Sequence, residues 1–394
     1  MKLLVIIGTL AHMGGAERQA LHLVEHLAKC PGCTVEVLAF EDGEVLRTAL
    51  AALQVRTHVF PYYYRWPRSR RLSRLACLAW LLRFQIRPDA LLPFVGVHSK
   101  TAAMVWRYSG ARFCWWNQQD EGRDLAGTPT ERRILQQLPC ITSNSFVGRD
   151  FLAKTYGLAP ERILVYNNGT PLPELAKSPR AGHWRREFGS RPIVTMLANV
   201  TAFKDHGTLV AAWQIVRRRI PAADPVLILA GHLKEAKTVT ELKLKAFGLG
   251  LSGENVRFVG AVKESAELLL DSDLVVHSSL TEGCPNAVCE AMALGRAVVA
   301  TDIPGCRQAL GPGGQEWLAP AGDAPEMADK ILRLLGDASW RHRVAAANRE
   351  RIRTDFSLAA MNHFFRKCIG EGLGCSVPAP AATVAGEQRN EKLN

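Results

Sequence analysis

The chain has 394 residues, 47% hydrophobic and 22% charged, the proportions of an ordinary globular protein, which exclude a disordered or fibrous chain. At roughly 100–200 residues per domain, the length calls for two cores. The formal net charge of +12 points to an anionic partner, and no run approaches the ~18 apolar residues of a transmembrane helix.

Lys2 and the apolar run Leu3–Ile7 open the chain. The run is short, breaks at Gly8 and leads into Gly14-Gly15-Ala16-Glu17 and an amphipathic helix, so it reads as the buried first strand of a βα unit rather than a signal peptide. Cys30-Pro31-Gly32-Cys33 follows the helical run Glu17–Lys29, whereas a redox pair opens a helix, and no second pair completes a zinc site. Two incidental thiols beside a helix C-cap at Gly32 are expected. Ten cysteines scattered without a disulfide spacing fit a reducing cytosol.

Further strands are expected at Thr34–Phe40, Val55–Phe60, Ala90–Phe94, Arg112–Trp116, Ile141–Ser143 and Ile163–Tyr166, the grammar of a parallel sheet. Pro61–Pro88 carries Arg65, Arg68, Arg70, Arg71, Arg74, Arg83 and Arg87 and no acidic residue, with Tyr62, Tyr63, Tyr64, Trp66 and Trp80 interleaved. Leucines at 72, 75, 78 and 82 give helical spacing. Residues 62–87 therefore suit either an anionic membrane surface or a helix packed on the sheet by its leucines. No nucleic-acid module accompanies them, so nucleic acid is not an expected partner.

The pattern stops at Asn167-Asn168-Gly169-Thr170-Pro171-Leu172-Pro173 and Leu175–Arg191 is mostly polar, which places a domain boundary between 1–170 and 171–354. Strands resume at Ile193–Leu197, Val226–Ala230, Val256–Val259, Leu274–His277 and Ala297–Ala300, separated by helices such as Thr208–Arg219. Residues 373–394, rich in Ala, Pro, Gly and polar types, read as a disordered tail. The fold class is α/β, two Rossmann-like parallel-sheet domains facing across a cleft, with ligands at the carboxyl ends of the strands.

The most informative stretch runs from Ser278 to Gly295, after a strand and into a helix. Pro285 suits a first helical position, Gly283 permits close approach, and backbone N–H groups near Cys284, Asn286 and Ala287 suit sugar hydroxyls or phosphate. Glu282 and Glu290 can each accept a pair of hydroxyl hydrogen bonds, from a hexose and from a ribose diol. Glu290 has Val288, Cys289, Ala291 and Met292 around it in sequence, where an unpaired carboxylate would be costly.

This stretch resembles family 4 of the retaining glycosyltransferases, whose signature is two glutamates eight positions apart in a Glu-Gly-x-Pro-Asn…Glu-Ala-Met-Ala-x-Gly frame, here Glu282 and Glu290. The similarity continues through Ala297–Asp302 and Gly305 and back through Val256–Gly260 and Asp273-Leu274, and more loosely to Gly14-Gly15-Ala16-Glu17-Arg18. The resemblance implies the GT-B architecture, with a helix at about 355–371 packing back on the first domain. It places Lys204 on the donor diphosphate, Gly14 and Gly15 beside the diphosphate or sugar, and Val262 near the nucleobase. Asn199 stands where the family commonly has an arginine, so one charge of the expected clamp is missing. Some members carry a histidine where this chain reads Trp115-Trp116-Asn117-Gln118-Gln119-Asp120, so that role is not carried over; Asn117, and His98 at another strand end, are the acceptor-side candidates.

The expected activity is transfer of a sugar from a nucleoside-diphosphate-sugar to a glycan or lipid-linked acceptor hydroxyl, with Glu282 and Lys204 at the reacting centre. Bacterial envelope or exported-polysaccharide assembly, in the cytoplasm or at the inner face of its membrane, is the implied setting. No cofactor or metal is expected: Asp271-Ser272-Asp273 lies where a helix hands over to a strand and reads as structural, while Lys204 and helix N-termini neutralise the leaving diphosphate. The alternatives are a nucleotide-sugar epimerase of the same architecture and a non-catalytic sugar-nucleotide-binding subunit. A nicotinamide dehydrogenase is disfavoured, because no Gly-x-Gly-x-x-Gly follows a strand.

Overall fold

The computed structural model describes residues 1–63, 66–120, 122, 125–174, 182–233 and 235–380. The strands are β1 Lys2–Thr9, β2 Thr34–Glu41, β3 Arg56–Val59, β4 Ala90–Pro93, β5 Phe113–Gln118, β6 Cys140–Ser143, β7 Ile163–Val165, β8 Ile193–Leu197, β9 Val226–Ala230, β10 Val256–Gly260, β11 Leu274–His277, β12 Val298–Thr301 and β13 Leu318–Ala319. Every strand expected from the sequence forms. Only β13 was not foreseen, and its two residues are too short to show a period.

The strands pair in parallel in two sheets, ordered β3-β2-β1-β4-β5-β6-β7 and β10-β9-β8-β11-β12-β13. Their continuous apolar runs follow from burial on both faces. In β9, Leu227 and Leu229 face one apolar cluster with Val194, Met196 and Trp213, while Val226, Ile228 and Ala230 face another with Ile193 and Leu268. Each sheet reverses its strand order once, between β1 and β4 and between β8 and β11. In open α/β sheets a ligand crevice forms at that reversal, beyond the carboxyl ends of the two strands.

By packing, one compact unit comprises Met1–Asn117, Asp124–Thr142 and Asn362–Asn394, and the other Gln118–Arg123 and Ser143–Met361. Of the tail expected from Leu373, the described part is anchored at two points with exposed residues between and after them: Leu373 ends the helix Leu358–Leu373, Val377 is buried, and its carbonyl accepts from Arg366 at 3.2 Å. Residues 381–394 lie outside the described residues, as do 175–181 of the polar linker. The rest of that linker is not featureless, since a short helix spans His183–Phe188.

The first helix spans Gly15–Leu27 and its C-cap is Ala28, so the cap expected at Gly32 belongs instead to the turn that follows, where Gly32 has φ +73°. Cys30 donates to the His26 carbonyl at 3.4 Å, and burial pushes the Cys30 and Cys33 thiols up, away from reactive thiolates. In the arginine-rich stretch, Tyr64 and Arg65 lie outside the described residues. A helix over Arg68–Trp80 continues as π-helix over Leu81–Ile86; Leu75, Leu78 and Leu82 pack inward while Leu72 stays exposed.

Candidate active site

The loops that follow β8 and β11 meet at the reversal point of the second sheet. After β8 the chain makes a 3₁₀ turn over Ala202–Lys204, and Asp205, at φ +44°, caps the helix His206–Arg219 by accepting the Thr208 amide at 3.2 Å. The Leu280 amide donates to the Phe203 carbonyl at 2.8 Å and the Ser278 hydroxyl to the Lys204 carbonyl at 3.1 Å, which latches the two loops together. Lys204 Nζ is thereby delivered to Glu282 Oε1 as an ion pair. The same oxygen meets His277 Nε2 at 2.8 Å and accepts from the Ser279 hydroxyl at 2.8 Å.

Glu282 is thus a buried carboxylate with three partners on Oε1. Burial alone pushes its pKa up, but the Lys204 charge and the His277 hydrogen bond outweigh that and hold it well below the usual carboxylate range. Sequence reasoning had assigned nothing to His277 or Ser279. The available signal was a histidine closing an otherwise apolar strand and a serine two residues beyond it, five and three positions before a glutamate.

The helix after Glu282 spans Asn286–Ala293, with Pro285 at its N-cap rather than in the first helical position expected. Its backbone is fitted closely. A Cβ on Gly283 would lie 2.8 Å from the Gln119 carbonyl oxygen, and one on Gly305 would lie 2.4 and 2.6 Å from the carbonyl oxygens of Glu282 and Gly283. The Cys284 side chain is buried among apolar side chains. Asn286, Ala287 and Glu290 share the accessible side of the helix, whereas Val288, Cys289, Ala291 and Met292 are fully buried. The crowding expected around Glu290 is therefore absent: residues one and two positions away do not face the same way on a helix, and Glu290 is half-buried. The Asn286 amide oxygen accepts from Asn168 at 2.8 Å.

Asn199 also has a local task, since its Oδ1 accepts the His232 amide at 3.0 Å. Val262 is half-buried after β10, which lies two strands from β8, roughly 10 Å along the sheet edge. Asp271 accepts the Trp184 and Arg185 amides at 3.0 and 3.1 Å, and Asp273 accepts the Ile193 amide and pairs with Arg185 at 2.9 Å, so both carboxylates hold backbone.

The first unit assembles its own group where β1 and β4 end. Gly14 is the N-cap of the helix Gly15–Leu27, and a Cβ there would lie 2.5 Å from the Glu17 carboxylate. A Cβ on Gly8 would meet the His98 ring at 2.6 Å and Glu17 Oε1 at 3.7 Å, so the bare Gly8 backbone is what lets His98 and Glu17 converge. Sequence reasoning quoted Glu17 without giving it a role. His98 is the third residue of the helix Gly96–Ser109 and its Nδ1 lies 2.9 Å from the Phe94 carbonyl. The turn between carries Val95 at φ +72°, a strained conformation for a β-branched residue of the kind that clusters at functional sites. Asn117, the other acceptor-side candidate, is fully buried within β5, its backbone N–H donating to the Ser99 hydroxyl at 3.1 Å.

The family described as Glycosyltransferase Family 4 matches residues 13–172, and that described as Glycosyl transferases group 1 matches residues 191–337. The chain is similar to N,N'-diacetylbacillosaminyl-diphospho-undecaprenol alpha-1,3-N-acetylgalactosaminyltransferase of Campylobacter jejuni, 35% identical over 95 residues covering 24% of this chain and 25% of that one. It is also similar to the amylovoran biosynthesis glycosyltransferase AmsK of Erwinia amylovora, 30% identical over 172 residues covering 42% and 41%. The chain thus spans less than half the length of either curated relative. Among solved structures, Anabaena Alr3699/HepE in complex with UDP and glucose superposes with a TM-score of 0.80 over 94% of this chain and 100% of that one at 20% identity. That likeness is one of fold, the GT-B architecture of two parallel-sheet domains. No helix among the described residues is long and apolar enough to cross a membrane.

Proposed function

The chain belongs to the family 4, group 1 glycosyltransferases, and on that footing we propose that it moves a sugar from a nucleoside-diphosphate-sugar to an acceptor hydroxyl with retention at the anomeric carbon. The observation that carries this reading is the Lys204–Glu282 pair, held by His277 and Ser279 beside the N-terminus of the helix Asn286–Ala293. When a donor enters, Lys204 exchanges Glu282 for the diphosphate. His277 and Ser279 keep Glu282 in place, with Oε2 available to sugar hydroxyls. The amides at Asn286 and Ala287 lie where the first N–H groups of a helix have no partner within it, and they face the anion. Glu290, one turn on, takes the ribose diol.

Transfer breaks the bond from the anomeric carbon to the diphosphate oxygen and forms one to the acceptor oxygen on the same face. The acceptor proton passes to the departing diphosphate, whose growing charge is met by Lys204 and the helix amides, so no metal enters the reading. His98, against Gly8, is assigned to the acceptor side. The solved Anabaena relative carries UDP, and the curated relatives are named for a lipid diphosphate and for amylovoran. Uridine diphosphate sugars and a glycan or lipid-linked acceptor of envelope or polysaccharide assembly are therefore the substrates we favour. Free thiols throughout the chain suit a reducing cytoplasm as the setting.

Calorimetry with UDP-, GDP- and ADP-sugars tests the donor site. One donor is expected to bind, and Glu290→Ala to weaken it about 10- to 100-fold through the loss of charge-assisted hydrogen bonds. Binding by none of them, or equal binding by the variant, would sink the assignment. Anomeric analysis of the product by NMR then checks retention, and recovery of an epimerised donor without transfer would move the reading to an epimerase.

A further inference from the structure

The helix over Arg68–Trp80 and its π-helical continuation to Ile86 pack against the first unit through Leu75, Leu78, Leu82 and Ile86, each at most 8% exposed. Away from that face the segment is not polar. Leu72 is 54% exposed, Ala76 is exposed, Trp80 is 54% exposed and Phe84 is 52% exposed, a recurrence of four residues that puts them in one row. The row survives the change of helix type: i→i+5 hydrogen bonding widens the turn, and the Trp80 and Phe84 rings remain neighbours with centroids 6.1 Å apart. A solvent-facing row of Leu, Ala, Trp and Phe is costly for a surface that meets only water.

Arginines border the row. Arg70 stacks on Trp66 and Arg74 on Phe60, each 4.0 Å from the ring centroid, while Arg68, Arg83 and Arg87 are exposed. Among the described residues none of these arginines is paired with a carboxylate. At the Phe84 end of the row lies an open surface cavity of about 410 Å³ lined by Arg83, Phe84, Arg87, Ser109 and Gly110. Its one acidic neighbour, Asp89, is occupied, accepting the Lys2 amide at 2.8 Å and facing Arg112 at 3.4 Å. The Ser109 hydroxyl is buried and donates to the Trp106 carbonyl at 2.6 Å, and Arg87 Nε donates to the Phe84 carbonyl at 3.1 Å. Two exposed guanidinium groups without a carboxylate partner and an aromatic edge beside an apolar row match a lipid, with its phosphate between the arginines and its chains along the row.

We propose that this face is a docking surface for an anionic phospholipid bilayer, with Leu72, Trp80 and Phe84 at the acyl boundary and Arg83 and Arg87 on a headgroup phosphate. Sequence spacing alone pointed to the four leucines. The structure moves three of them to the core and makes Leu72, Trp80 and Phe84 the inserted side chains. The proposal stands apart from the transfer reaction, since it concerns the face carrying the β3 to β4 connection and not the strand ends.

Flotation of the full chain with phosphatidylglycerol-rich and pure phosphatidylcholine vesicles tests it. Binding is expected to the first, to fall as salt rises, and to be negligible for the second. Trp80→Ser with Phe84→Ser, both at exposed positions, is expected to weaken binding at least ten-fold, and Arg83→Gln with Arg87→Gln about five-fold per residue. Millimolar inorganic phosphate should not release the protein, which separates a lipid headgroup from a free anion. Leu244→Ser with Phe247→Ser, on the exposed face of another helix, serves as the control and is expected to bind as wild type. Equal binding to both vesicles, wild-type binding by the Trp80 and Phe84 variant, or loss in the control would overturn the proposal. So would retention of RNA, but not of vesicles, through the same arginines.

Discussion

His206 is the first helical residue after Asp205 and is 2% exposed, and neither ring nitrogen has a hydrogen bond of good geometry. Burial, and then the nearby His277, lower its pKa to about 4. An unfolded chain restores about 6.5. Between those values the unfolded state binds the extra proton, so stability is fully present above about pH 6.5 and is lost as pH falls towards 4, by about 3 kcal/mol. Urea unfolding at pH 7 and pH 4 should show wild type losing about 3 kcal/mol more than His206→Leu; equal losses would refute the assignment. Nothing in the sequence singles out His206, because its burial depends on what packs over it. Glu282 and Lys204 were legible as residues of interest, while the bonds from His277 and Ser279 that settle Glu282 were not.

At the scale of elements, the turn from β11 into the helix Asn286–Ala293 depends on one distant glycine. Gly305, the second residue of the next helix, Pro304–Leu310, lies directly against the Glu282 and Gly283 carbonyls. Those contacts are backbone, which cannot swing aside as a side chain can. Gly305→Ala is expected to cost about 1–3 kcal/mol in thermal or urea unfolding and to weaken donor binding in calorimetry by shifting the 282–283 backbone. Unchanged stability and affinity would show that the turn can move freely. The strands themselves were readable because parallel strands buried on both faces are short unbroken apolar runs between turn residues. Features without such a period escaped: the two-residue β13, the π-helical change at Leu81, and the side of its helix on which Glu290 lies.

The whole molecule is not two consecutive halves. Residues from Asn362 belong with the first unit, where the Phe365 ring lies 5.9 Å from Phe94 and 5.0 Å from Trp115, and where a Cβ on Gly372 would fall 2.1 Å from the Phe113 ring. The end of the described chain therefore completes a core begun by β4 and β5. Phe365→Ala is expected to destabilise by about 3–5 kcal/mol in denaturant unfolding, through lost burial and the cavity it leaves. A cost under about 1 kcal/mol would mean that the segment merely rests on the first unit.

Local pattern determined the individual strands, the alternation of strand and helix that implies parallel sheets, and the glutamate pair that marks the family. Each strand, each turn and the glutamate pair is written within a span of some twenty residues by hydrophobic period and turn chemistry. Tertiary structure decided the rest. Lys204 and Glu282 are 78 positions apart, and only the strand order that lays β8 beside β11 brings them together. Within the first unit, packing against the helix Gly96–Ser109 hides three leucines of the arginine-rich helix and leaves Leu72, Trp80 and Phe84 outside, because which of its apolar side chains are covered is decided by the neighbouring helix and not by their own spacing.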